Sequence, residues 1–449
     1  MNTQYNQTLI SYPTNNLKGT LVISGDKSIS HRAIILGSLT IGKTIITGLL
    51  EGEDVKATIG AVQKLGASVK RIAPGHYVVQ GVGTGGYFQP DNVIDCGNAG
   101  TGVRLLIGAV ATTPITVTFT GDSSLRSRPM GRVTEPIRQF GTKIHGRESD
   151  QLPMTVIGTH DPIPISYPLP VPSAQVKSAI LLAGLNTPGQ TEVIEESSTR
   201  DHTERMLKAF GAELTIENQR GAKKITLNGY AELQPQKVVV PGDPSSAAFL
   251  IAAGLLAENS TITVKNVGMN PTRTGVFKTL VEMGAQIDIE ELPEQSGEPV
   301  ANLTVRYSSL QGITVPPERA PTMIDEYPIL AAVASIANGD TVMRGIKEMR
   351  IKETDRIHAM VKGLEECGVE TTEFEDGFTV HGQGPGSISG DCTCRSYYDH
   401  RIAMSFLCLG LAARKPVKVD DGSAIATSFP EFVRSMNFCG AKVQEGGQL

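Results

Sequence analysis

The chain has 449 residues, 40% hydrophobic and 19% charged, which is enough apolar material for two or three ordinary domains. Its 41 Lys and Arg against 46 Asp and Glu leave a net charge of −5, excluding the basic excess of a general nucleic-acid binder. Without Trp and with 5% aromatics it also lacks stacking platforms for single strands, so any anion site must be local.

From the N-terminus, MNTQYNQTLISYPTNN has neither a basic n-region nor an apolar h-region, and no secretion leader is expected. The longest near-apolar stretches, such as Ile329–Ala337, fall far short of the ~20 residues that span a bilayer. A cytoplasmic protein without a membrane partner is therefore expected. The turn Ser24-Gly25-Asp26 leads into Lys27-Ser28-Ile29-Ser30-His31-Arg32, a polar helix start, and then into an apolar helix over Ile29–Leu39. A helix apolar all round is buried. Gly37–Thr44 matches the phosphate-loop pattern G-x-x-x-x-G-K-[ST], but that loop needs a strand before it and a helix after it. Here the helix comes first and the β-branched run Thr44–Thr47 follows, so the segment is read as a surface turn.

One phrase then recurs along the chain. An amphipathic helix ends in apolar-Gly-small at Leu65-Gly66-Ala67, Phe140-Gly141-Thr142, Phe210-Gly211-Ala212, Met283-Gly284-Ala285, Cys367-Gly368-Val369 and Cys439-Gly440-Ala441. Each glycine suits the residue past a helix end, where φ is positive. A buried helix and short strand precede each copy, as in Ala174–Leu185 then Thr191–Ile194, and Ala247–Leu256 then Thr261–Val264. The spacing predicts six α/β units of about 75 residues, too long for a solenoid and suited to pseudo-symmetric globular domains. Pro241-Gly242-Asp243 repeats the turn at Gly25-Asp26, which predicts two domains of three units each: 25–240, and 1–24 plus 241–449. Two chain crossings at those turns would let the domains close on a ligand.

Further polar helix starts follow in order. Cys96-Gly97-Asn98-Ala99-Gly100-Thr101 is a small-residue turn whose amides can approach an oxyanion, and Arg128 precedes Pro129. Ser173-Ala174-Gln175 and Thr199-Arg200-Asp201 repeat the device. In the second half, Asp325 and Glu326 stand where the apolar Ile329–Ala337 run begins. Arg350–Arg356 is expected to start a helix with Lys352 and Arg356 on one face and Glu353 beside them, and Asp399-His400-Arg401 precedes Ile402–Leu411. A capped helix start, a Gly-rich turn or a salt-bridged face would explain any one of these. Together they describe cationic, amide-rich helix starts that would hold a ligand with several negative groups, with Asp325 and Glu353 available for proton transfer. The six cysteines, at 96, 367, 392, 394, 408 and 439, show no Cys-x-x-Cys; neither a zinc site nor a disulfide framework is expected, and Cys392 and Cys394 are read as incidental thiols.

These segments resemble the 5-enolpyruvylshikimate-3-phosphate synthase family over essentially the whole chain: GDKSISHR at 25–32, GNAGTG at 97–102, RPMGR at 128–132, PSAQVKSA at 172–179, TRDHTE at 199–204, MIDEYPIL at 323–330, RIKETDR at 350–356 and DHRIAM at 399–404. MNPTRTG, DEYPIL and ATSFPEF look most like its class II branch. The resemblance implies an α/β fold of two pseudo-symmetric domains, an inside-out α/β barrel of three repeats each. It implies transfer of the enolpyruvyl group of phosphoenolpyruvate to the 5-hydroxyl of shikimate 3-phosphate through a tetrahedral intermediate, by a monomer needing no metal or organic cofactor. By motif position, Lys27, Ser28, Arg32, Ser173, Ala174, Gln175, Arg200, Asp325 and Lys352 would bind shikimate 3-phosphate. Lys27, Asn98, Gly100, Thr101, Arg128, Gln175, Arg356 and Arg401 would bind phosphoenolpyruvate. Asp325, Glu353 and Lys27 would be catalytic, Asp325 taking the hydroxyl proton and Glu353 serving C3. The chain departs from a common pattern at Thr427, where many members carry Lys before [Ser/Thr]-Phe-Pro.

Overall fold

Six times the chain builds a four-stranded sheet. In each, an edge strand runs parallel to its neighbour and the third strand runs antiparallel, as in Ile94–Asp95, Thr116–Thr120 and Met154–Ile157. The parallel pair forces a crossover, and a buried helix supplies it: Gly100–Val110 joins Ile94–Asp95 to Thr116–Thr120. The computed structural model describes residues 7–219 and 221–446. The first six residues, on which the expectation of no leader partly rests, lie outside the described residues.

The repeated phrase has the predicted backbone. Gly66, Gly141, Gly211, Gly284, Gly368 and Gly440 all follow helix ends with φ between +82° and +103°. A side chain would be strained there, which is why glycine recurs.

The chain divides into two compact units. One comprises Gly25–Val240 with Glu294–Glu298; the other comprises the N-terminal segment through Ser24, Pro241–Pro293 and Pro299 onward. The tip 294–298 differs from the sequence-based boundaries. It goes with the first unit because Ser296 Oγ accepts from Val239 N (2.9 Å), Gly297 O accepts from Arg205 Nη1 (2.8 Å), and Glu298 pairs with His202 Nδ1 (2.7 Å).

Within the Gly25–Val240 unit the three crossover helices Lys27–Ser38, Gly100–Val110 and Ala174–Gly184 are buried on nearly every side, and the sheets lie outside them. Side chains align these helices. Arg32 reaches Ser178, Gln175 reaches Thr101, and Thr112 reaches Ala183 O, so the helices run parallel and their N-termini share one end. The backbones approach closely: a Cβ on Gly108 would lie 2.2 Å from Ala179 O. The second unit repeats the plan with Pro244–Leu256, Tyr327–Ala334 and His400–Leu409. There Lys18–Val22 runs along Thr261–Gly268, and Leu9–Tyr12 lies between Val417–Val419 and Lys442–Glu445.

The Gly37–Thr44 segment has the helix-then-strand order that removes its nucleotide reading, Lys27–Ser38 preceding Ile41–Thr47. It is not a surface turn, however. Residues 37–40 are buried, and only Ile41 and Lys43 within it are exposed, because Thr40 Oγ1 caps Gly37 O (2.9 Å) and the chain passes directly into the strand. Among the described residues no helix is long and apolar enough to cross a membrane.

Candidate active site

In the Gly25–Val240 unit the predicted residues gather at the shared N-terminal end of the inner helices. Asp26 caps the first helix by accepting from Ile29 N (2.9 Å), and the next residue, Lys27, ion-pairs with Asp54. Ser28 occupies the second helical position, its carbonyl taken by Arg32 Nη1 (2.9 Å). Arg32 is buried and donates also to Thr203 Oγ1 (2.6 Å) and Ser178 Oγ (2.8 Å). Burial lowers its pKa to about 10. Beside it His31 is buried with Nδ1 on Thr58 Oγ1 (2.8 Å). Burial and then the charges of Lys27 and Arg32 hold its pKa well below the ordinary range, so the ring is neutral.

The second inner helix starts at Gly100, with Ala99 as its cap and no side-chain capping bond; its first amides belong to the turn that the sequence singled out. Asn98 Oδ1 accepts from Arg128 Nη2 (2.5 Å) while its Nδ2 donates to Asp122 Oδ2 (2.7 Å). Gln175 bridges helices: its Nε2 donates to Thr101 Oγ1 (2.8 Å) and its Oε1 accepts from Arg104 Nη1 (2.6 Å). Ser173 is the cap of the third helix, accepting from Val176 N (3.4 Å), with Ala174 the first helical residue. Arg200 is half-buried just before Asp201, the cap of His202–Ala209.

In the other unit one guanidinium organises the site. Arg356 is buried, and four donor contacts go to carboxylates: Nε to Asp399 Oδ2 (2.7 Å), Nη2 to Asp399 Oδ1 (3.3 Å) and to Glu353 Oε2 (2.6 Å), and Nη1 to Asp325 Oδ1 (3.2 Å). Burial alone would lower its pKa, but Asp399, Glu353 and Asp325 outweigh burial and raise it. Asp399 is fully buried; Asp325 and Glu353 keep 15% and 22% of their side chains exposed. These two are therefore the carboxylates open to a ligand. Lys352 Nζ stands 3.7 Å from Asp325 Oδ1. Arg401 Nη1 donates to Asp325 O (3.1 Å) and Glu326 Oε1 (3.3 Å), and Glu326 also accepts from buried Ser245.

The helix expected to begin near Arg350 begins at Arg356 instead. Asp355 caps it, Lys347–Ile351 forms a separate 3₁₀ turn, and Lys352 follows that turn in non-helical backbone. Lys352 and Arg356 thus do not share a helix face; Asp325 brings them together. Thr427 lies in another 3₁₀ turn and donates to Ala424 O (2.7 Å).

Sequence reasoning missed Arg104 and Asp54 as site-shaping residues, and placed Asp399 at a helix start without its partner Arg356. Arg104 was visible four positions after Gly100, on the same helix face, but nothing local shows that it reaches Gln175.

The family model for EPSP synthase (3-phosphoshikimate 1-carboxyvinyltransferase) matches residues 11–436. The chain is 60% identical over 434 residues to a 3-phosphoshikimate 1-carboxyvinyltransferase of Dinoroseobacter shibae, covering 96% of each. It is 59% identical over 430 residues to one of Cereibacter sphaeroides, again 96% of each. Among solved structures it is similar to EPSP synthase from Acinetobacter baumannii, with a TM-score of 0.87 and 39% identity over 98% of this chain and 100% of that one. The enolpyruvyl transferase NikO from Streptomyces tendae, at a TM-score of 0.77 and 17% identity over 99% of this chain and 100% of that one, shares the fold.

Proposed function

The chain belongs to the EPSP synthase family, and on that premise we propose how its residues carry the family's reaction. It transfers the enolpyruvyl group of phosphoenolpyruvate to the 5-hydroxyl of shikimate 3-phosphate and releases phosphate, a shikimate-pathway step toward chorismate and the aromatic amino acids. The hydroxyl attacks C2 as C3 is protonated, giving a tetrahedral ketal phosphate; phosphate then leaves as C3 loses a proton.

The observation that carries the assignment of roles is the Arg356 cluster. A single buried cation fixes two partly exposed carboxylates, Asp325 and Glu353, with Lys352 near the first. Such carboxylates, held in place and still accessible, suit proton transfer in two successive steps. Asp325 takes the hydroxyl proton, and Glu353 moves the proton at C3. Lys27, Ser28, Arg32, Ser173, Ala174, Gln175, Arg200 and Lys352 are assigned to shikimate 3-phosphate. Lys27, Asn98, Gly100, Thr101, Arg128, Gln175, Arg356 and Arg401 are assigned to phosphoenolpyruvate. Arg104, through Gln175 and Thr101, is a positioning residue. We take a cytoplasmic monomer as the working unit, which the mass in solution would test.

Incubating the protein with phosphoenolpyruvate and shikimate 3-phosphate, without ATP, should release free phosphate and form the enolpyruvyl ether. No phosphate release in that mixture would overturn the reading. A non-catalytic polyanion binder would bind and release nothing, and a nucleotide-dependent kinase would need ATP.

A further inference from the structure

Three thiols from two separate segments meet at the C-terminal end of the Arg356–Glu366 helix. Cys367 caps that helix, its amide donating to Gly363 O and Glu365 O. The strand Cys392–Cys394 lies in register with Val417–Val419, and strand alternation puts residues 392 and 394 on one face. That face meets Cys367. The Sγ–Sγ distances are 3.2 Å for Cys367–Cys392, 3.6 Å for Cys367–Cys394 and 4.0 Å for Cys392–Cys394. Cys367 and Cys394 are fully buried and Cys392 is half-buried, so the cluster has one opening. Among the described residues this is the one group of three or more His, Cys, Asp or Glu ligand atoms within 4.8 Å of one another. The sequence reading of Cys392 and Cys394 as incidental thiols needs correcting, because the third thiol arrives from 25 residues upstream.

The repeats supply an internal control. At four other helix caps the residue equivalent to Cys367 is Leu65, Phe140, Phe210 or Met283. Five residues before the next helix cap, Ala99, the edge strand that follows the Leu65 cap carries Ile94; five residues before the matching cap, Asp399, this one carries Cys394. At the sixth cap, Cys439 packs over Gly19, in a strand, Lys18–Val22, that contains no Cys. Ordinary hydrophobes thus satisfy the packing at this position, and three sulfurs supply something packing does not require.

What they supply is a ligand set. With a sulfur–metal distance of about 2.3 Å, three thiolates around one ion at tetrahedral angles lie about 3.8 Å apart. The observed separations bracket that value, so an ion fits with shifts of a few tenths of an ångström. An entering cation would displace the thiol protons to solvent as each sulfur binds it as thiolate.

We propose that Cys367, Cys392 and Cys394 form a three-thiolate site for one soft d¹⁰ metal ion, copper(I) or zinc(II). Copper(I) is satisfied by three soft sulfurs; zinc(II) would add a water through the opening at Cys392. The helix between Arg356 and Cys367 is about 16 Å long, so the ion would anchor the far end of the helix that carries Arg356 rather than touch substrate.

The test uses the full-length chain, reduced and kept without oxygen. Copper(I) is offered from a chromophoric copper(I) chelator in one arm, and zinc(II) from a zinc indicator in the other. The parent should withdraw one equivalent of at least one ion, with thiolate-to-copper absorption in the near ultraviolet if it is copper, and its melting temperature should rise. Cys367→Leu combined with Cys394→Ile, copying the Leu65 and Ile94 pair, should withdraw none and show no metal-dependent rise while keeping phosphate-release activity. If that double variant does not fold, Cys392→Ser at the half-buried position replaces it. The proposal fails if the parent withdraws neither ion, or if the variant withdraws as much as the parent, since Cys96, Cys408 and Cys439 would then be responsible.

Discussion

A Cβ built on Gly100 would stand 2.9 Å from Arg128 Nη1 and 3.6 Å from Arg104 Nη1. The position is thus closed by the guanidinium that also donates to Asn98 Oδ1. Glyphosate inhibits this family, and a methyl group at position 100 would narrow the space beside the Gly97–Gly102 turn by overlap. The structure adds a second effect, because the methyl must also push Arg128 aside. Gly100→Ala should raise the KM for phosphoenolpyruvate and raise the glyphosate inhibition constant further, by on the order of tenfold relative to that KM. Measuring both constants in both proteins checks this; an unchanged ratio would show that the methyl does not discriminate.

Asp325→Asn keeps the shape beside Arg356 and Lys352 but removes the base. Turnover should fall by on the order of 10²–10⁴-fold, with shikimate 3-phosphate affinity, read by calorimetry, largely retained. Near-parent phosphate release would remove Asp325 from the mechanism.

Lys177 is completely buried, with Nζ 3.0 Å from Glu195 Oε2 and 2.7 Å from Glu204 Oε1. Removing the cation leaves two buried carboxylates facing each other. Lys177→Met should therefore destabilise the protein by about 3–5 kcal/mol, seen as a lower denaturant midpoint for the Gly25–Val240 unit. A midpoint within error of the parent would mean that the carboxylates find other partners or protonate without cost.

His31 gives a pH signature. Its folded pKa is depressed well below 6.5 by burial and by Lys27 and Arg32, so below pH 6.5 the unfolded chain binds a proton that the folded chain refuses. Stability is then lost as pH falls from about 6.5, at up to about 1.4 kcal/mol per pH unit. Comparing unfolding midpoints of the parent and His31→Gln between pH 7.5 and 5 isolates this group. The parent should lose more on acidification, and parallel curves would contradict a neutral buried ring.

Much of the architecture was legible in the sequence because it rests on short-range causes. A glycine with positive φ follows the amphipathic helix of each unit, and helices apolar all round must be inside, so six units and their inner helices could be counted from residues alone. The same logic set aside the Gly37–Thr44 match, since helix-before-strand is a local property. The polar residues at helix starts were legible too, through capping and amide exposure at Asp26, Gly100 and Ser173. Only the tertiary structure decided which of them meet. Arg104 reaches Gln175 across 71 positions, Arg356 gathers Asp325 and Asp399 from 31 and 43 positions away, and Cys367 joins a strand 25 residues later. Long-range pairing follows from how parallel helices and sheet edges stack, and no local pattern encodes that register. A chain segment carries its own backbone preferences, but it carries no record of the side chain that will face it.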